Sequence, residues 1–111
     1  MTENFDAAAI AEQNDKFRQT LQGGRVLLTT GVQAIPEETL HKVIQAIQVF
    51  DDFTPDNDPH EEHDFGEVEV EGNRVWWKID AYDKNLEMGS PNPADPDVTT
   101  RVMTVLLPSE Y

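Results

Sequence analysis

The sequence predicts an α+β domain with a four-stranded, mainly antiparallel sheet, two helices on one face and the order α-β-α-β-β-β. Three observations predict it. Two stretches carry apolar residues at helical spacing. One stretch alternates apolar and acidic residues before a turn dipeptide. A final stretch, TTRVMTVLL, is apolar on both faces, as a central strand is. With 111 residues the chain is read as one domain spanning 1–111.

The first helix is expected over residues 6–22. Ile10, Asn14, Phe17 and Leu21 share one face, and Gly23-Gly24 supplies the stop. Asn14 on that apolar face reads as a buried hydrogen-bonding residue. Arg25 to Thr30 (RVLLTT) is a short apolar run, expected to be a buried strand. Pro36 opens a second helix with Glu37 and Glu38 at its positive end and Leu40, Val43, Ile44, Ile47 and Phe50 as its stripe. Asp51 to Asp58 reads as loop.

Phe65 to Glu71 alternates, with Val68 and Val70 on one side and Glu67, Glu69 and Glu71 on the other. Gly72-Asn73 is the expected two-residue turn. That turn pairs Glu71 with Arg74, Val70 with Val75, Glu69 with Trp76, Val68 with Trp77 and Glu67 with Lys78. Val68, Val70, Val75, Trp77 and Ile79 then face inward, and acids meet Arg74 and Lys78 outside. Asp83 to Val98 is a long polar loop, of a length that is functional or mobile in a compact domain.

Composition narrows the function. The formal charge is −14, from 22 acidic and 8 basic residues. Direct nucleic-acid binding needs Lys and Arg at phosphates, and an anionic membrane repels such a chain. The partner expected is a basic protein surface, including that of a nucleic-acid-binding protein. With no cysteine, disulfides and thiolate chemistry are excluded. The N-terminal stretch lacks the pattern of a signal peptide, and no apolar run has membrane-spanning length, so a cytoplasmic protein is expected.

Several phrases carry a resemblance: NDKFR (14–18), GGRVLLTTGV (23–32), FDDFTPDNDP (50–59), EHDFG (62–66), WKIDAYD (77–83), PADPDVTTRVMTVLL (93–107) and the final EY. Over nearly the whole chain it resembles the uncharacterised bacterial family DUF three-seven-six-eight. The resemblance implies a small single-domain protein, often plasmid-borne. It implies no activity, substrate or cofactor.

Between Val43 and Asn73 lie ten carboxylates, two of the three histidines and no Lys or Arg. Three kinds of chemistry compete there. His60 and His63 are three apart and, with Asp64, could hold a divalent ion such as Zn²⁺, Mn²⁺ or Fe²⁺ on one helical turn. The spacing is not that of the HExxH motif. His63, Asp64 and Asp80 form an alternative acid-base site, because the expected register sets Phe65 against Asp80 and His63 against Tyr82. No nucleophile elbow accompanies them.

The third reading is the acidic surface itself. Glu67, Glu69 and Glu71 stand roughly 6.7 Å apart along a strand, about two axial steps of a DNA strand. Asp51, Asp52, Asp56, Asp58, Glu61 and Glu62 extend the row. The reading chosen is a small acidic protein-binding module, in its sharpest form a DNA mimic or inhibitor encoded by a mobile element, rather than an enzyme.

Overall fold

The structure, a computed structural model, describes residues 6–111. Helix α1 spans Ala7–Thr20 and is capped by Asp6, whose carboxylate accepts from the Ala8 and Ala9 amides at 2.9 and 3.4 Å. It ends earlier than its sequence pattern suggests. Leu21 itself turns left-handed at φ 57° and returns its amide to the Phe17 carbonyl. The buried face is Ile10, Ala11, Asn14, Phe17 and Arg18.

Strand β1 spans Gly24–Leu28. Among the described residues it lies at the sheet edge and pairs only with the last strand, in parallel, so the expectation of a buried strand is corrected: Leu27 is 53% exposed. Gly24 is required where it crosses Arg101, because a Cβ there would collide with the Arg101 carbonyl and the Phe17 ring. Thr29 then caps a one-turn helix, α2 (Thr30–Gln33), which the apolar pattern did not reveal. Helix α3 spans Glu37–Gln48 behind Pro36, with Glu37 and Glu38 in its first turn and Thr39, Val43 and Ile47 buried.

Strands β2 (Phe65–Val70) and β3 (Asn73–Tyr82) form the hairpin. Its turn is Glu71-Gly72, at φ 52° and 81°, closed by the pair Val70–Asn73. Successive left-handed residues match the twist of the flanking strands. The register therefore differs by two from the one expected: Glu69 faces Arg74, Val68 faces Val75, Glu67 faces Trp76 and Gly66 faces Trp77. Two physical causes are visible. Glu71 leaves the strand to accept from Thr39 (2.9 Å) and Lys42 (2.5 Å) on α3. A Cβ at Gly66 would lie 2.7 Å from the indole nitrogen of Trp77, so the bulkiest core side chain needs glycine opposite.

Strand β4 (Thr100–Leu106) lies inside the sheet, whose order is β1-β4-β3-β2. The sheet is mixed: β1–β4 is parallel and the other two pairs are antiparallel. The α+β architecture is thus realised with three helices. Val68, Val75, Trp77, Ile79, Met103 and Val105 meet Phe17, Val32, Ile35, Val43 and Ile47 in one core. The opposite face carries an aromatic chain, Phe65–Trp76–Tyr111, with centroids 5.4 and 5.5 Å apart.

The β3–β4 connection is tied down by its own polar groups. Asp83 accepts from the Asn85 and Glu87 amides, and Ser90 and Thr99 share a 2.6 Å hydroxyl contact. A 3₁₀ turn, Pro96–Val98, precedes β4, and a second, Pro108–Glu110, follows it. No helix among the described residues is long and apolar enough to cross a membrane.

Candidate functional site: an acidic cleft beside a carboxylate-held histidine

The segment before β2 is built on one buried carboxylate. Thr54 and Asn57 first close a turn through reciprocal side chain-to-amide bonds, and Asn57 also donates to the Asp52 carbonyl at 2.9 Å. Asp58, 4% exposed, follows and accepts from the Glu62 and His63 amides at 3.1 and 3.2 Å. Those bonds hold two non-glycine residues left-handed, Glu61 at φ 57° and His63 at φ 56°. Such conformations cost about 1–3 kcal/mol each and persist where the surroundings over-determine them. Asn14 on α1 adds a third tether by donating to the Glu62 carbonyl at 2.9 Å.

His63 is fixed on three sides. Its ring stacks on Phe53 at 3.9 Å and 2°. Nδ1 lies 3.0 Å from both Asp15 oxygens, and Nε2 lies 3.7 Å from Asp58. Asp15 also accepts from Arg18 at 2.8 Å. Arg18 is only 2% exposed, donates to the Phe50 carbonyl, and lies 5.3 and 5.2 Å from the Phe53 and Trp77 rings. An Arg18–Asp15–His63–Asp58 chain therefore clamps α1 to the loop. Both ring nitrogens face carboxylates, Nδ1 within hydrogen-bond distance and Nε2 farther off.

Two hollows flank this histidine. One, of about 610 Å³, has a floor of Ala7, Ala8 and Ala11 and is lined by Glu12, Asp15, Lys16, Gln19, Glu61 and His63. The other, of about 210 Å³, lies between His63, Asp58 and the Phe53–Pro55 turn. Glu62 and Asp64 beside them are pushed above the ordinary carboxylate range. Burial is the main cause for both; neighbouring negative charge adds to it, chiefly Asp64 for Glu62 and Asp58 for Asp64.

The sequence-derived sites come out differently from expectation. His63, Asp64 and Asp80 do not gather. His63 precedes the paired part of β2 and turns to Asp15 and Asp58; Asp80 faces Val102 across the ladder and meets Lys78 at 3.3 Å. The expected pairs Phe65–Asp80 and His63–Tyr82 fail because the hairpin closes two residues differently, leaving Phe65 opposite Lys78. His60 is exposed, and no group of three or more His, Asp or Glu suited to a metal ion occurs among the described residues, so His60, His63 and Asp64 do not gather into the alternative ion-binding turn.

The carboxylate row is also interrupted. Asp58 is buried, and Glu71 turns to α3. Glu67 accepts from Arg74 at 2.8 Å and from the Trp76 indole at 2.7 Å, and these bonds pull it below the ordinary range. Lys42 and then Thr39 do the same to Glu71. Of the residues expected in the row, Asp51, Asp52, Asp56, Glu61 and Glu69 are exposed and outside ion pairs among the described residues, and Glu62 is half-buried. Glu12, Asp15, Arg18 and Phe53 are among the site residues that sequence reasoning missed.

A family model described as "Protein of unknown function (DUF3768)" matches residues 28–110. The match corrects the extent of the resemblance, which took in residues 14–27: α1 and nearly all of β1 lie outside it. The cleft is accordingly composite, with its Glu61–His63 wall inside the matched region and its α1 wall before it. No curated protein and no solved structure matches the chain.

Proposed function

Because this chain belongs to the DUF3768 family, whose description assigns no activity, its role must come from its own residues, and we propose that it is a small acidic protein-binding module that takes a Lys- or Arg-bearing segment of a basic partner into the cleft between α1 and the 58–63 loop. One observation carries this reading: around an apolar floor of three alanines, the carboxylates Glu12, Asp15 and Glu61 outnumber the single cation Lys16. Such a surface matches the basic head and methylene stem of Lys or Arg at once. A rigid wall lowers the ordering cost of binding, and the clamp on His63 supplies one.

The placement of the cations supports the same reading. Arg18 and Arg101 are buried, while Lys42, Arg74 and Lys78 are held by carboxylates. Each held cation takes one acid with it, so the net charge of −14 stays with the remaining groups, where it steers basic partners and speeds encounter. A DNA-mimicking or inhibitory role, on a mobile element, is the sharpest form of this proposal. With the β2 ladder interrupted, the docking element in that form is the cleft rather than the strand.

The test is fluorescence anisotropy with a lysine- and arginine-rich peptide. Saturable binding that weakens with salt is expected. Glu12→Gln with Glu61→Gln should weaken it about tenfold, at the upper end for two partly exposed pairs. Glu37→Gln with Glu38→Gln, on α3 away from the cleft, should leave it unchanged. Equal losses in both double variants, or binding indifferent to salt, would overturn the proposal.

A further inference from the structure

A third hollow, of about 150 Å³, lies on the other side of α1, against the start of β4. Gln13, Lys16, Gln22, Thr99 and Arg101 supply its polar lining, and no carboxylate lines it. In a chain with 22 acidic residues and eight basic ones, a polar hollow with two cations and no acid is unexpected.

Arg101 is the key group. It is 4% exposed, yet among the described residues no carboxylate lies within ion-pair distance of it. Its Nε donates to Asn14 at 2.7 Å and one Nη donates to the Pro93 carbonyl. The other, Nη1, has no hydrogen-bond partner among the described residues and is not fully buried, so solvent reaches it. These neutral acceptors orient the guanidinium but do not offset its charge, and a buried cation without a counter-charge is costly. Burial lowers its pKa, with no compensating anion among the causes. Arg18, on the same helix's inner face, has its carboxylate in Asp15.

We propose that the hollow between α1 and the start of β4 is a binding site for a phosphate-type oxyanion, held by Arg101 and Lys16. Two cations suit a dianion better than a single carboxylate, and Lys serves as a point-charge phosphate ligand beside a guanidinium. The side-chain amides of Gln13 and Gln22 add neutral donors to the lining. Liquid water takes about 30 Å³ per molecule, so the hollow holds the volume of a few waters. That admits a phosphate head. Pro93 and Thr99 come from the β3–β4 connection, so an anion here also fastens that connection to α1. This inference is independent of the acidic cleft.

The experiment is thermal unfolding of the full chain, titrated with sodium phosphate or with glycerol phosphate against sodium chloride at matched ionic strength. A saturable rise of a few degrees in Tm is expected with at least one anion. Response to inorganic phosphate alone identifies the free ion; response to the ester as well identifies a phosphorylated small molecule. Lys16→Gln, an exposed change that leaves the fold intact, should abolish most of the rise. Because Arg101→Gln can unfold the protein, Arg101 is read directly: its Nε–H resonance should shift with the same midpoint. A non-saturating rise, equal in the parent and Lys16→Gln, is the general salting effect of phosphate and overturns the site. So does an Nε–H resonance that stays still.

Discussion

The hollows on the two sides of α1 use the same helix for opposite chemistry. On one side Ala8, Ala11, Glu12 and Asp15 present an apolar floor and an acidic rim; on the other Gln13 and Phe17 border Arg101. Lys16 touches both. Helical periodicity permits this, since residues one apart point about 100° from each other. Overall charge therefore says little about any one site. The buried guanidinium on the acidic side has its carboxylate, and the one on the cationic side does not.

The strongest way to break the comparison is Arg101→Gln. It leaves the Asn14 side-chain oxygen and the Pro93 carbonyl without their donor, and a loss of about 2–3 kcal/mol in urea unfolding is expected. A change below about 0.5 kcal/mol would mean that its two acceptors gain nothing from it. Next comes Asp58→Ala, which acts on the acidic side alone. It removes the acceptor for the Glu62 and His63 amides, with an expected loss of about 1–2 kcal/mol and weaker peptide binding. Asp58→Asn keeps an acceptor oxygen and should recover most of both; if it does not, charge rather than hydrogen bonding holds the loop.

The smallest effect is a pH dependence. Asp64 is raised in the folded state by burial, so the native state holds its proton more tightly than the unfolded chain does. Its contribution to stability therefore falls as pH rises from the ordinary carboxylate value through the raised one. Glu62 acts in the same direction. Glu67, Glu71 and Glu110 are lowered and act oppositely, losing their contribution on acidification. Asp64→Asn should thus stabilise at neutral pH relative to the parent, and the gap should close in acid. Urea midpoints at both pH values measure it; a constant gap would assign the effect to packing.

Much of the frame was legible in the residues. Val68, Val75, Trp77 and Ile79 read as an inner face because a period of two marks burial directly. The register did not, because sliding by two residues preserves every face. Gly66 was the available signal, since an indole as large as Trp77 needs a vacancy across the ladder. Asn14 stood out as a polar residue on an apolar stripe, and it does join α1 to both Glu62 and Arg101. Asp15 and Phe53 carried no such mark. Their meeting with His63 depends on a buried Asp58 and two left-handed residues, and no spacing rule encodes that. β1 misled in another way: Leu27 and Leu28 are equally apolar, but alternation along the strand turns Leu28 to the core and leaves Leu27 on the opposite, exposed face.

That strand order has a consequence for how the chain comes off the ribosome. β2 and β3 can zip together as soon as both have emerged, but β1 pairs with nothing until β4, made last of the four, slots in beside it. Throughout that interval a short segment bearing two adjacent leucines lacks its strand partner, and unpaired apolar segments of this kind favour aggregation.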